Sequence, residues 1–317
     1  MMRAYLDEAG LRFHGAPSET LRDAIDDLVD VLDDVREFDD EVVLWSDAAY
    51  DAEVDDDTTF MDFLFTAGDA TLADARRRLM LAVNRLTSWE TPDWELDVPD
   101  HDVHLAGEKV WAPSLAQAVT AESALGPIAV LALSTAREPG PTTVVLTDQA
   151  AILHTVTAPT GRRAFVRTWL QARPPAPVDF PCWLDRAFPD LRWTDEAQNG
   201  LRTNSKYFFG DRFPTTVHHL GVLNDHAADV FVEQKQNDLR EKHLSALDVN
   251  ASPESPNTRA NRKAVEQRQV EWQGQTIAFW WHTKIRYDTG RIHFHHDASA
   301  PAPGRIVIGL CVEHLLV

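Results

Sequence analysis

From residue 18 the apolar positions recur at three- and four-residue steps. Leu21, Ile25, Leu28, Leu32 and Val35 fall in one stripe, with Asp and Arg between them. That pattern predicts an amphipathic helix that Ser18 caps and that ends near Phe38. A short apolar element over 42–50, an acidic loop over 51–59 and a short helix over 60–65 follow. Asp69 or Thr71 then opens a second stripe, Leu72, Ala75, Leu79, Ala82, Val83 and Leu86, whose far side carries Arg76, Arg77, Arg78 and Arg85. Ser114 caps a helix that runs through Ala124. An apolar run over 128–133 and two β-rich runs over 142–146 and 151–156 come next. The last two are joined by Thr147-Asp148-Gln149-Ala150 and predict a small meander with a hairpin. A helix over 161–170 carries Arg162, Arg163 and Arg167. Residues 89–104, with Trp89, Trp94, Pro92 and Pro99, show no period.

Residues 173–181, RPPAPVDFP, hold four prolines in nine positions. Neither a helix nor an inner strand tolerates that density, so this is the expected linker. It separates an acidic domain over 1–172 from a domain over 182–317. In the second domain Val217, Leu220, Leu223, Ala227 and Val230 predict a helix over 215–231, with His218, His219 and His226 on or beside it. Ser252, Pro253, Ser255, Pro256 and Asn257 oppose regular structure. A helix over 258–269, capped by Thr258, carries Arg259, Arg262, Lys263 and Arg268. Residues 270–279 read as a hairpin turning at Gly274.

The densest chemistry lies in 279–317, which reads as strand, turn, strand, Pro/Ala/Gly loop, strand. Alternation sends successive side chains to opposite faces. His282, Lys284 and Arg286 share one face, opposite Trp281, Thr283 and Ile285. On the next strand Arg291, His293 and His295 share a face, opposite Ile292 and Phe294. One face is aromatic and aliphatic, the other imidazole and cation. The class expected for the whole chain is α+β: a mixed helical first domain with a small β-meander, and a second domain of helices plus an antiparallel sheet.

Charge divides the chain in the same way. The net charge is −20 over 317 residues. Residues 1–60 hold 19 Asp and Glu against 4 Lys and Arg, whereas 202–317 hold 13 against 14 and carry 9 of the 13 histidines. The acidic half repels nucleic acid and suits solvation or a partner protein; the back half can meet nucleic acid. Two cysteines, Cys182 and Cys311, make neither a disulfide framework nor a metal spacing, which fits a cytoplasmic protein. No apolar run reaches the roughly 20 residues of a membrane span.

The histidine-cation face contains the parts that metal-free RNA cleavage needs. A neutral imidazole takes or gives a proton near pH 7. Lysine and arginine stabilise charge developing on phosphate. His282, Lys284, Arg291, His293 and His295 are the candidate catalytic set, with Arg268, His314 or Glu254 able to assist. Arg259, Arg262, Lys263, Arg268 and Arg286 are the candidate nucleic-acid contacts, RNA being favoured. The competing reading is a solvated polar sheet face. His293-x-His295 with His282 or His314 could ligate a metal, but Lys284 and Arg291 oppose a cation there, so no metal or cofactor is assigned. No phosphate-cradling glycine loop and no GxSxG elbow occur.

The run FWWHTKI, RIHF, loop, RIVIGLCVEHL resembles the C-terminal sheet of the RelE/ParE-like toxin superfamily, over about forty residues. A helix at 258–269 ahead of the sheet also suits that fold. The resemblance implies metal-independent ribonuclease activity in a toxin or anti-phage defence setting, with Lys284, Arg286 and Arg291 holding phosphate and a histidine or Lys284 moving protons. Those toxins are small single domains, so the large N-terminal half departs from the pattern. The alternative is a non-catalytic nucleic-acid- or protein-binding component of a defence complex.

Overall fold

In the computed structural model, residues 1–66, 68–91, 93, 102–147, 149–299 and 304–316 are described. Pro92, Trp94, Pro99, the hairpin residue Asp148 and loop residues 300–303 lie outside that set. The class is α+β, and the chain divides into two units, Met1–Ala172 and Arg173–Val317. The division falls at the first residue of the proline-rich segment.

The first unit runs β1 (Met2–Leu6), α1 (Ser18–Arg36), β2 (Glu41–Trp45), β3 (Glu53–Asp55), β4 (Thr58–Thr59), α2 (Phe60–Phe65), α3 (Ala73–Val83), β5 (Thr87–Ser88), β6 (Val103–Leu105), β7 (Glu108–Val110), α4 (Pro113–Leu125), β8 (Ala129–Leu131), β9 (Gly140–Val145), β10 (Ala150–Val156) and α5 (Pro159–Ala172). The hairpin expected over 142–156 is β9–β10, but it belongs to an eight-stranded sheet of order β5-β2-β1-β8-β10-β9-β6-β7. β1 pairs in parallel with both β2 and β8. Their sequences, MRAYL, EVVLW and AVL, are nearly continuous apolar runs, as expected of parallel strands covered on both faces. Tyr5 packs in the cluster that buries Leu115, Ala118 and Val119 of α4. Met2 and Ala4, of opposite parity, share a cleft with Val31 and Val35 of α1.

All five stripe residues of α1 are buried. Its cap is Pro17; Ser18 lies in the first turn and donates instead to Asp69 Oδ2 at 2.6 Å. The acidic loop contains the β3–β4 pair. Arg78 reaches back to Asp26 and Asp30 of α1, at 2.5 and 3.0 Å, so part of the acidic surface is answered within this unit.

The second unit runs α6 (Leu184–Ala187), β11 (Leu191–Trp193), α7 (Asp195–Thr203), α8 (Phe213–Asp225), α9 (Ala227–Glu233), α10 (Asn237–Ala246), β12 (Ala251–Pro253), α11 (Pro256–Ala260), α12 (Arg262–Glu266), β13 (Gln269–Trp272), β14 (Gln275–Ala278), β15 (Trp281–Lys284), β16 (Arg291–Asp297) and β17 (Arg305–Val312). Its main sheet has the order β11-β17-β16-β15-β12, antiparallel except for β11, which lies parallel to β17. The long helix expected over 215–231 is broken at His226 into α8 and α9. The helix expected over 258–269 is two short ones: Ser255 caps α11, and Asn261 accepts from Lys263 and Ala264 to restart the chain as α12. Ser252 and Pro253 do form a strand. β12 is an edge strand, where a proline without an N–H is tolerated.

The β13–β14 hairpin turns at Gln273-Gly274, both at positive φ, as a two-residue primed turn requires. It delivers Phe279 onto β17, where Gly309 lies within a register shift opposite His293 and Phe294. A Cβ at Gly309 would meet the Phe279 ring at 2.3–2.4 Å. Among the described residues, no helix is long and apolar enough to cross a membrane. The Gly309→Ala variant is expected to lose about 1–3 kcal/mol, because the wholly buried Phe279 must move; a urea midpoint unchanged from the parent protein would show that the contact can relax.

Candidate functional site

The register of β15 and β16 sets His282 opposite His293 and Lys284 opposite Arg291. The opposite face packs Trp281 and Phe294 around Phe231. The inner part of the cationic face is buried. Phe279 meets it at His293, and His282, His293, Arg291 and Arg268 are all buried, whereas Lys284 is half-buried and Arg286 is exposed. What remains open is a cleft of about 400 Å³, lined among others by Glu254, His282, Lys284, Arg291, His293 and His314.

At its base is the carboxylate of Glu254, one residue past the end of β12. The Arg268 Nε–H donates to Glu254 Oε1 at 2.8 Å, and Arg268 also donates to the Ala264 carbonyl at 2.9 Å. His282 Nδ1 lies 3.2 Å from the same carboxylate oxygen, and His293 Nδ1 lies 4.0 Å from it. Burial alone would raise the Glu254 carboxyl, but His282 and Arg268 beside it hold it down to about 2. It is therefore ionised at neutral pH. His293 is 1% exposed, and burial, with His282 beside it, pushes it down to about 3, so it is a neutral ring near pH 7. Its Nδ1 lies 3.4 Å from the Phe279 carbonyl, and its Nε2 has no partner among the described residues.

Arg291 is half spent on structure. Its Nη1 and Nη2 donate to the carbonyls of Arg286 and Tyr287, at 2.8 and 2.7 Å, and pin the β15–β16 turn. Lys284 is half-buried at the cleft and His314 is exposed on its rim. The tail carrying His314 is tied down where the Leu316 N–H donates to Gln267 Oε1.

The other candidates are dispersed. His295 is outside the cleft lining and packs edge-on against Phe279. Arg268, expected at a nucleic-acid surface, is 2% exposed and serves as the counter-charge of Glu254. Arg286 pairs with Asp211, Arg262 pairs with Glu266 on α12, Arg259 lies over the Trp280 ring, and Lys263 is exposed in the first turn of α12. None of these four lines the cleft. Glu254, His282 and His293 have ligand atoms within 4.8 Å of one another and could hold a divalent cation. His293 thus finds Glu254 and His282 as neighbours, whereas His295 and His314 are absent from that set. The central position of Glu254 was hard to foresee, because it closes a segment that reads as irregular.

A second buried carboxyl occurs in the first unit. Asp7 and Glu8 follow the carboxyl end of β1, between the ends of its parallel neighbours, the usual place for a ligand crevice in such sheets. Glu8 borders a cleft of about 280 Å³ with Arg12, Asp51, Glu53, Lys109 and Trp111. It accepts the Ser114 hydroxyl at 2.5 Å and the Ser114 N–H at 3.1 Å. Burial raises it to about 8, the Ser114 bonds opposing. The sequence signal is an acid pair directly behind an apolar strand.

Removing one partner of the Glu254 pair leaves a buried, unanswered charge. Glu254→Gln is expected to cost about 3–5 kcal/mol in urea unfolding, and Glu254→Gln with Arg268→Met to recover most of that. A double variant as unstable as the single one would contradict the account. Glu8 behaves oppositely with pH. Its folded value, about 8, stands above its ordinary 4.5, so the fold favours the protonated form. The stability it contributes is complete below 4.5 and is lost as pH rises through about 8. Urea midpoints of the parent protein should therefore fall over that range more steeply than those of Glu8→Gln, and parallel curves would remove Glu8 as the cause. No protein-family model, curated protein or solved structure matches the chain, so the geometry of these residues carries the functional argument.

Proposed function

We propose that the C-terminal unit cleaves RNA without a metal, in the manner that its resemblance to RelE/ParE-like toxins implies, as a toxin or an anti-phage defence effector. The observation that carries this reading is the ionised Glu254 at His282 Nδ1, in a cleft with Lys284. A carboxylate 3.2 Å from one imidazole nitrogen leaves the other nitrogen of the ring for proton transfer. His282 takes the proton of a 2′-hydroxyl. The O2′–P bond forms as the P–O5′ bond breaks, which leaves a 2′,3′-cyclic phosphate. Lys284 answers the charge that builds on the phosphoryl oxygens. His314, on the rim, returns a proton to the departing 5′ oxygen. Arg291 adds charge and holds the turn.

One observation favours the alternative, a non-catalytic nucleic-acid-binding component. Both terminal nitrogens of Arg291 are engaged by backbone carbonyls, which leaves fewer donors for a transition state.

The test is incubation of the full chain with RNA and with DNA of the same sequence, with and without a chelator. Cleavage of RNA alone, unaffected by chelator, is expected. His282→Ala should lower the rate about 10²- to 10⁴-fold, and Lys284→Ala and Arg291→Ala should also impair it, with circular dichroism unchanged. Binding with no turnover selects the alternative. Chelator-sensitive cleavage would instead assign Glu254, His282 and His293 to a cation. Full activity in all three variants would place the site elsewhere.

A further inference from the structure

Two buried imidazole nitrogens at the base of the β15–β16 cleft make no hydrogen bond. His293 is 1% exposed, and its Nδ1 lies 3.4 Å from the Phe279 carbonyl. A carbonyl only accepts, so the ring proton sits on Nδ1 and the lone pair on Nε2. That Nε2 has no partner among the described residues. His282 Nδ1 is buried too and makes no hydrogen bond, although Glu254 Oε1 is 3.2 Å away. Buried polar atoms are nearly always satisfied, so two exceptions on facing residues call for a cause.

Together with Glu254 they form a donor set. One atom from each of Glu254, His282 and His293 lies within 4.8 Å of the others, and all three residues are buried. Two imidazoles and one carboxylate are the ligands of an open zinc site, in which a fourth position faces solvent or substrate; here the cleft supplies that position. A tetrahedral zinc sets its ligand atoms roughly 3.4 Å apart, and Glu254 Oε1 and His282 Nδ1 stand at 3.2 Å. Ligating rings and carboxylates are usually oriented by a second hydrogen bond. His293 has one at the Phe279 carbonyl, and Glu254 has one from Arg268 Nε–H at 2.8 Å. Arg268 and Lys284 also repel a cation, which suits reversible capture and not a permanent structural centre. Imidazole favours zinc-like ions over magnesium or calcium. The exposed group His14, Asp55 and Asp56 has the same spacing but no buried, unpartnered atom.

We propose that Glu254, His282 and His293 capture a zinc-like divalent cation, and that the captured ion switches the cleft off. The inhibitory role rests on the RNA-cleaving reading above; the binding does not. A neutral imidazole has one lone-pair nitrogen. With a cation on Nδ1 of His282, the proton resides on Nε2, and the ring can no longer take the proton of a 2′-hydroxyl.

The experiment treats the full chain with chelator, dialyses it, and titrates zinc against a chromophoric zinc indicator, with cobalt as a spectroscopic substitute. One zinc is expected at this site, undisturbed by excess magnesium, and bound cobalt should show the intense visible bands of four-coordination. An outer hydrogen-bond partner alone is worth about 10- to 100-fold in metal affinity, so His293→Ala should weaken zinc by at least about 10-fold. Glu254→Gln with Arg268→Met, which keeps the buried charges balanced, should do the same if His293→Ala fails to fold. His14→Ala should retain the site. Unchanged affinity in both of the first two variants, loss in His14→Ala alone, or no zinc bound would overturn the proposal. In the second arm, zinc should slow RNA cleavage and chelator should restore it. Cleavage that saturating zinc leaves unchanged, or that requires zinc, would overturn the inhibitory role alone. Zinc bound as expected with no cleavage in chelator would overturn the catalytic reading, and the inhibitory role with it, while the cation site stands.

Discussion

A single buried carboxylate organises the C-terminal unit. Glu254 is ionised although its side chain is 6% exposed, and that state is stabilised by Arg268, which donates to it, and by His282, which sits against it. The three residues come from separate places: the end of β12, the stretch after α12, and β15. Fixing their charges together therefore fixes the edge strand, the two short helices and the sheet relative to one another within this unit. The Glu254 N–H donation to the Trp280 carbonyl and the Phe279 N–H donation to the Arg268 carbonyl close the same frame through the backbone. Phe279 in turn needs the bare backbone of Gly309 to lie flat on β17.

That dependence explains which parts of the fold were legible in the sequence. Strands β15, β16 and β17 and the division of their faces follow from alternation, which is a local property. The β13–β14 turn follows from Gln-Gly chemistry. The breaks at His226 and Asn261 do not, since the apolar stripe Val217 to Val230 runs on across the first and no Pro or Gly marks the second. Asn261 stops one helix and caps the next with the same side chain, and propensity alone does not tell a capping Asn from an interior one. In the N-terminal unit the parallel core strands were missed as strands because burial on both faces erases their alternation. An unbroken apolar run of five residues has no period to read.

The candidate site was legible in its inventory and less so in its arrangement. Alternation placed His282, Lys284, Arg291 and His293 on one face, and they do line one cleft. It could not show that the His282 and His293 part of this face is buried, because Glu254, Arg268 and Phe279, which lie against it, arrive there through long-range contacts. Burial then redistributes the roles. It makes His293 a neutral ring, turns Arg268 from a surface contact into a counter-charge, and spends Arg291 on a turn. His295, two residues beyond His293, keeps the parity but meets Phe279 instead of the cleft.

The two buried glutamates show how the partner, more than the burial, sets the chemistry available at neutral pH. Both Glu8 and Glu254 are removed from water, and in both cases burial pushes the carboxyl upward. Glu8 meets a hydroxyl and an amide N–H of Ser114, which are dipoles without net charge, and it stays high, at about 8. Glu254 meets a guanidinium and an imidazole, and it falls to about 2. A carboxyl kept protonated can donate a proton but cannot stabilise a cation beside it. A carboxyl kept ionised can favour the charged form of a neighbouring histidine but has no proton to give. Of the two, Glu254 is therefore the one that can answer a positive charge beside it, and His282 Nδ1, at 3.2 Å, lies nearer to its carboxylate than His293 Nδ1, at 4.0 Å.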